Sequence, residues 1–140
     1  MRIRPARREE REALEELQWR ASLANDADRP HLEAHPDAIH LPPEQIARGD
    51  VLVAEVDGRT VGFAALEGAE LDGLFVEPDL WRSGIGRTLV EAAVHEARRR
   101  GLSLVTVVAN PAALDFYLKC GFAVEGEAQT RFGPAIRMSR

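Results

Sequence analysis

The segment LDGLFVEPDLWRSGIGRTLV, Leu71 to Val90, constrains this chain more than any other. An apolar, strand-type run breaks at Pro78, passes Gly84 and Gly86, and resumes as an amphipathic helix. A strand-to-helix corner presents unsatisfied N–H groups and the positive end of a helix dipole. Glycines there let an anion approach the main chain. Gly84 and Gly86 leave room for a diphosphate, and Arg82 and Arg87 add charge at its rim. Two familiar phosphate loops fail on specific residues. A dinucleotide fingerprint requires a glycine where Leu89 stands. A Walker-type loop requires lysine in place of Arg87 and glycine in place of Trp81.

The rest of the chain supplies the frame for this corner. Arg2-Ile3-Arg4 reads as a short first strand, and Leu14, Leu17, Ala21 and Ala24 recur at helical spacing between Arg8 and Ala24. Asn25 to Pro43 carries four prolines and three of the four histidines, the pattern of short helix and loop that rims a pocket. DVLVAEVDGRTVGFAALEG is a hairpin: two apolar runs flank Asp57-Gly58, a pair suited to a turn with φ > 0 at both positions. A third strand runs from Glu70 to Val76. The helix after the glycines places Leu89, Val90, Ala93, Val94 and Ala97 on one face and stops at Gly101. LSLVTVV reads as a buried strand, Asn110-Pro111 as a capped helix start, and the last two runs as strands. The order is β-α-(α)-β-β-β-α-β-α-β-β.

Composition excludes several classes. The 140 residues are 45% apolar and 29% charged, the balance of one globular domain spanning 1–140. No run approaches the roughly 20 apolar residues of a membrane span. The N-terminal MRIRPARREE holds no apolar signal core, so secretion is not expected. One cysteine cannot form an internal disulfide, which suits the cytoplasm. A net charge of −5 argues against nucleic acid and is compatible with a cationic acceptor.

Two blocks carry a family resemblance. Trp81-Arg82-Ser83-Gly84-Ile85-Gly86 resembles the Gln/Arg-x-x-Gly-x-Gly/Ala acetyl-CoA signature of the GNAT acetyltransferase superfamily, with Trp81 in the leading position. NPAALDFYLKCGF, Asn110 to Phe122, resembles that family's Asn-x-x-Ala-x-x-Phe/Leu-Tyr-x-x-x-Gly-Phe block. The resemblance covers the last 90 or so residues well. It implies an α/β (α+β) fold with a mixed, mostly antiparallel sheet of six to seven strands, a splayed central strand pair and about four flanking helices. It implies acetyl-CoA as co-substrate, without a metal. The cofactor would be held by the strand Leu74-Phe75-Val76, by the corner Arg82, Ser83, Gly84, Ile85, Gly86, Arg87 and Thr88, and by Asn110 and Tyr117. The acceptor would be an amine, on a small molecule or a peptide, and the protein a monomer or a homodimer. An acyl-CoA-sensing module without turnover is the alternative.

Acetyl transfer makes demands that particular residues can meet. A lysine-like amine is mostly protonated at neutral pH, and freeing its lone pair costs about 4–5 kcal/mol from ~3.4 pKa units. Glu70 and Asp72, two residues apart on one strand face ahead of the corner, are the candidate bases. Tyr117 occupies the family's tyrosine position, where its hydroxyl would assist the leaving thiolate. Leu74 and Val76 are the candidate main-chain partners of the thioester carbonyl. Cys120 is a poor nucleophile at a helix C-terminus with no histidine nearby in sequence. His31 and His35 have i,i+4 spacing, but Leu32 replaces the glutamate of the metalloprotease motif. Arg131 and Phe132 are candidates for shaping the acceptor pocket.

Overall fold

The computed structural model describes all 140 residues. Seven strands form one sheet: β1 (Arg2–Pro5), β2 (Val51–Val56), β3 (Arg59–Glu67), β4 (Glu70–Val76), β5 (Thr106–Ala109), β6 (Ala123–Thr130) and β7 (Gly133–Ser139). Their order is β1-β2-β3-β4-β5-β7-β6, and only the β4–β5 pair is parallel. The helical segments are α1 (Arg11–Ala24), α2 (Arg29–Ala34), α3 (Pro43–Ala47), α4 (Ile85–Arg99) and α5 (Leu114–Lys119). That is five where about four were expected, because the proline-rich stretch after α1 breaks into separate short helices. No helix is long and apolar enough to cross a membrane.

The sheet is covered on both faces. On one, Leu14 and Leu17 of α1 and Ile46 of α3 pack against Val51, Val53, Phe63 and Ala65. On the other, Ile85, Leu89, Val90, Ala93, Val94 and Ala97 of α4 pack against Ala54, Ala64, Leu66 and Leu71. The apolar stripe read in α4 is therefore the face it buries. Leu89 is fully buried, and burying such a side chain contributes roughly 1.5–3 kcal/mol. The β2–β3 turn has positive φ at both Asp57 (50°) and Gly58 (79°), the geometry that matches strand twist. The strand expected across LSLVTVV begins only at Thr106. The Leu102 N–H still donates to Ala97 O at the end of α4, and Leu104 is 49% exposed.

One irregularity decides the shape of the centre. Leu66 pairs with Leu71 and Ala65 with Gly73, so Asp72 is an extra residue facing no partner on β3. A bulge of this kind bends its strand and adds local twist. β4 then meets β5 at one position only, Glu70 opposite Thr106, and the two strands part beyond it. The bulge also interrupts, at Asp72 itself, the alternation on which a shared Glu70–Asp72 face depends.

Candidate active site

The wedge between β4 and β5 opens into a cleft of about 510 Å³ that runs to the start of α4. Its walls include Leu74, Phe75, Val76, Arg82, Gly84, Gly86, Arg87 and Tyr117, so residues of both sequence blocks meet in one place. Sheet register fixes which backbone groups face the opening. The Glu77 N–H donates to Val61 O directly opposite, so the bonded positions along β4 are Glu77, Phe75 and Gly73. The N–H and C=O of Leu74 and Val76 consequently point away from β3, toward the side that β5 has left. Phe75 uses its main chain on β3 and packs its ring on Phe63, with centroids 5.4 Å apart.

The corner after β4 is built from unpaired donors. The backbone N–H groups from Arg82 through Arg87 have no acceptor within the protein. Gly84 precedes the first turn of α4 at φ 89°, and Arg82 holds a left-handed φ of 64°, a conformation that costs a non-glycine residue about 1–2 kcal/mol. Strain of this sort is retained where the backbone must present groups to a ligand. Three side chains brace the corner. The Ser83 hydroxyl donates to Leu80 O at 2.5 Å, the Thr88 hydroxyl to Gly84 O at 2.9 Å, and the Trp81 indole N–H to Val76 O at 2.8 Å. Trp81 thus ties the corner to β4 from the position that departs from the family pattern. The Thr88 N–H also goes to Gly84 O, which ends the run of free donors. Ile85 is buried beneath the corner in the α4 core. Glu77 anchors the arrangement from below: Arg20 of α1 and Arg59 of β3 both donate to its carboxylate, at 2.7 and 3.1 Å.

Tyr117 enters from α5. Its ring is wedged edge-on between Phe116 and Phe122, at 5.0 and 5.5 Å, and the residue is 8% exposed. Its hydroxyl makes no hydrogen bond within the protein, yet no polar side-chain atom is sealed without a partner. The oxygen therefore opens to the cleft. Burial raises the phenol pKa above its ordinary value, with Cys120 adding to the effect, so the hydroxyl remains a donor. Cys120 is itself buried, and burial pushes its thiol upward as well, away from thiolate chemistry.

The remaining candidates lie elsewhere. Glu70 sits at the closed end of the wedge and Asp72 is exposed on the bulge; neither lines the cleft. Burial raises the Glu70 pKa, the Asp72 charge adds to this, and Arg137 opposes it. Asn110 caps the turn before α5 by accepting from the Ala112 N–H, and its amide donates to Asp28 Oδ1 at 3.2 Å. Asp28, with Asn25 and Ala21, completes the cleft wall from the α1–α2 side. Sequence reasoning assigned none of these three to the site, and read Ala21 only as part of an apolar helical face. The polar cluster Asn25-Asp26-Ala27-Asp28 was the available signal, set in the stretch read as a pocket rim.

Comparison with known proteins agrees with this architecture. Residues 11–122 match the model of the acetyltransferase (GNAT) family. The chain is 34% identical over 128 residues to the peptidyl-lysine N-acetyltransferase YjaB of Salmonella typhimurium, covering 91% of this chain and 86% of that one. The solution structure of apo-form YjaB from Escherichia coli superposes with a TM-score of 0.71 at 28% identity, over 99% of this chain and 95% of that one. The acetyltransferase yncA from Salmonella typhimurium, solved with its cofactor acetyl-CoA, shares the fold with a TM-score of 0.76 at 22% identity, over 100% and 92%.

Proposed function

The chain belongs to the GNAT acetyltransferase family, enzymes that use acetyl-CoA as acyl donor, and on that premise we propose that it acetylates a primary amine by direct attack in a ternary complex. The observation that carries this reading is the line of free backbone N–H groups from Arg82 to Arg87 at the mouth of the β4–β5 wedge. A diphosphate seated on those donors, with Arg82 and Arg87 beside it, directs the pantetheine arm into the wedge. There the Leu74 and Val76 main-chain groups replace the strand partner that β5 no longer supplies. The Val76 carbonyl already accepts from Trp81, which leaves its N–H and both Leu74 groups for the pantetheine amides and the thioester oxygen. A donor at that oxygen stabilises the charge that develops as the carbonyl becomes tetrahedral. Tyr117 donates to the departing sulfur. The Salmonella relative is named for peptidyl-lysine, and a lysine side chain within a peptide is the acceptor we carry over to this chain.

Thiol release from acetyl-CoA, followed with a chromogenic disulfide across lysine peptides, free amino acids and polyamines, tests the proposal. Amine-dependent release of CoA is expected. Tight acetyl-CoA binding with no release on any amine would instead make the protein a sensor of its cofactor.

A further inference from the structure

The cleft has opposite charges at its two ends. Arg82 and Arg87 stand at the diphosphate end, and Asp28 stands at the other. Asp28 is also the one residue that this cleft shares with both adjoining cavities. One of these, about 190 Å³, is walled by Phe75, Phe132, Leu32 and Ile39; the other, about 210 Å³, runs between Asn110, Thr130 and Phe132. His31 borders both, and its ring lies 5.2 Å from that of Phe132.

Asp28 lacks what this fold gives its two buried acids, Asp50 and Glu77. Asp50 is held by Arg48 and Arg100, and Glu77 by Arg20 and Arg59. Asp28 is half-buried and forms no ion pair; the adjacent Arg29 turns to Asp26 and Glu33 instead. Its one side-chain partner is the neutral Asn110 amide. A desolvated carboxylate is costly unless a cation approaches it. Here the open space around it is the space an acceptor amine must cross to reach the thioester.

We infer that Asp28 is the acceptor-side carboxylate, holding the ammonium of the incoming amine and taking one of its protons. This rests on the N-acetyltransferase reading above. The ammonium gives one proton to Asp28, and the freed nitrogen lone pair forms the C–N bond at the thioester carbonyl. The C–S bond then breaks with its electron pair on sulfur, and the second nitrogen proton ends on sulfur as the CoA thiol. Burial raises the Asp28 pKa, the Asn110 hydrogen bond and His31 oppose this, and the net upward shift makes it a better proton acceptor than an exposed aspartate. The groups that face it are His31 from α2, Asn110 from the end of β5 and, across the cleft, Tyr117 from α5. An aromatic-walled pocket with one carboxylate selects an ammonium on a slim alkyl arm, as in lysine, over a guanidinium or a neutral side chain.

The test is amide chemical-shift titration of the CoA-saturated protein with Nα-acetyl-lysine methylamide and with its norleucine analogue, which lacks the ammonium. Shifts at Asp28, Arg29 and His31 are expected with the lysine probe and not with norleucine. Asp28→Asn should weaken lysine-probe binding tenfold or more with CoA affinity within twofold, and Asp28→Glu should restore part of it. In turnover, Asp28→Asn should lower kcat/KM for the amine a hundredfold and remove the acid limb of its pH profile, while KM for acetyl-CoA holds. Equal lysine-probe affinity in Asp28→Asn, equal binding of norleucine, shifts centred on Glu70 and Asp72, or no shift at Asp28 would each overturn the inference. A failure of the acetyltransferase reading looks different: the amine binds at Asp28, yet no CoA is released.

Discussion

Replacing Tyr117 by phenylalanine separates chemistry from architecture. The ring keeps its edge-on contacts with Phe116 and Phe122, and the lost hydroxyl has no partner in the protein. Removing an atom that satisfies nothing should change folding stability by no more than about 0.5 kcal/mol. The effect on catalysis is set by the thiolate. A hydrogen bond to a charged group contributes about 1.5–3 kcal/mol. At ~1.36 kcal/mol per tenfold, kcat should fall roughly 10- to 150-fold. Because burial holds the phenol pKa above its ordinary value, the deficit should be constant across the usual assay range. Steady-state thiol release at saturating acetyl-CoA measures kcat, calorimetry measures CoA affinity, and urea unfolding measures stability. An undiminished kcat would refute the leaving-group role. A loss of CoA affinity as large as the loss of kcat would refute it too, since the hydroxyl would then serve ground-state binding.

Other outcomes follow from particular contacts. Gly86→Ala should bind CoA within about threefold of the parent, because the added Cβ meets Phe116 at an ordinary 3.4 Å, whereas Gly86→Leu should intrude on the cleft and weaken binding more than about tenfold by calorimetry. Trp81→Phe deletes the indole N–H that holds Val76 O; a net loss of about 0.5–1.5 kcal/mol should raise the CoA dissociation constant roughly 2- to 12-fold. Glu10 is clamped mainly by the Arg4 guanidinium at 2.8 Å, which holds its pKa down at about 2 against an ordinary 4.5. A depressed carboxylate stabilises the fold above its unfolded pKa and loses that contribution as pH falls from about 4.5 to about 2. Urea unfolding across that window should therefore show the parent losing about 1–3 kcal/mol more than Glu10→Gln; parallel acid limbs would contradict the assignment.

The parts of this molecule governed by local rules were legible in the sequence. Pro78, Gly84 and Gly86 mark a corner whose backbone leaves the strand and enters a helix, and the α4 stripe states which face is buried. Asp57-Gly58 states its turn. Features set by pairing were not legible. Asp72 reads as one more alternating residue until Leu71 and Gly73 are matched to β3, and only then does the bulge appear. Asp28 acquires meaning from Asn110, far away in the chain and brought near by the sheet. Glu70 and Asp72 were attractive as carboxylates ahead of the corner, but the cleft starts beyond them because the wedge closes at Glu70 and Thr106.

The account depends on main-chain donors between Arg82 and Arg87 gripping the cofactor's diphosphate, and an amide-resolved titration reads those donors individually. With CoA, the largest shifts should fall on residues 82–87, with a second group at Leu74 and Val76. Pantetheine, which lacks the diphosphate, should move only the second group. If CoA leaves the amides of residues 82–87 unmoved, or if pantetheine reproduces the whole pattern, the corner does not hold the cofactor and the account is wrong.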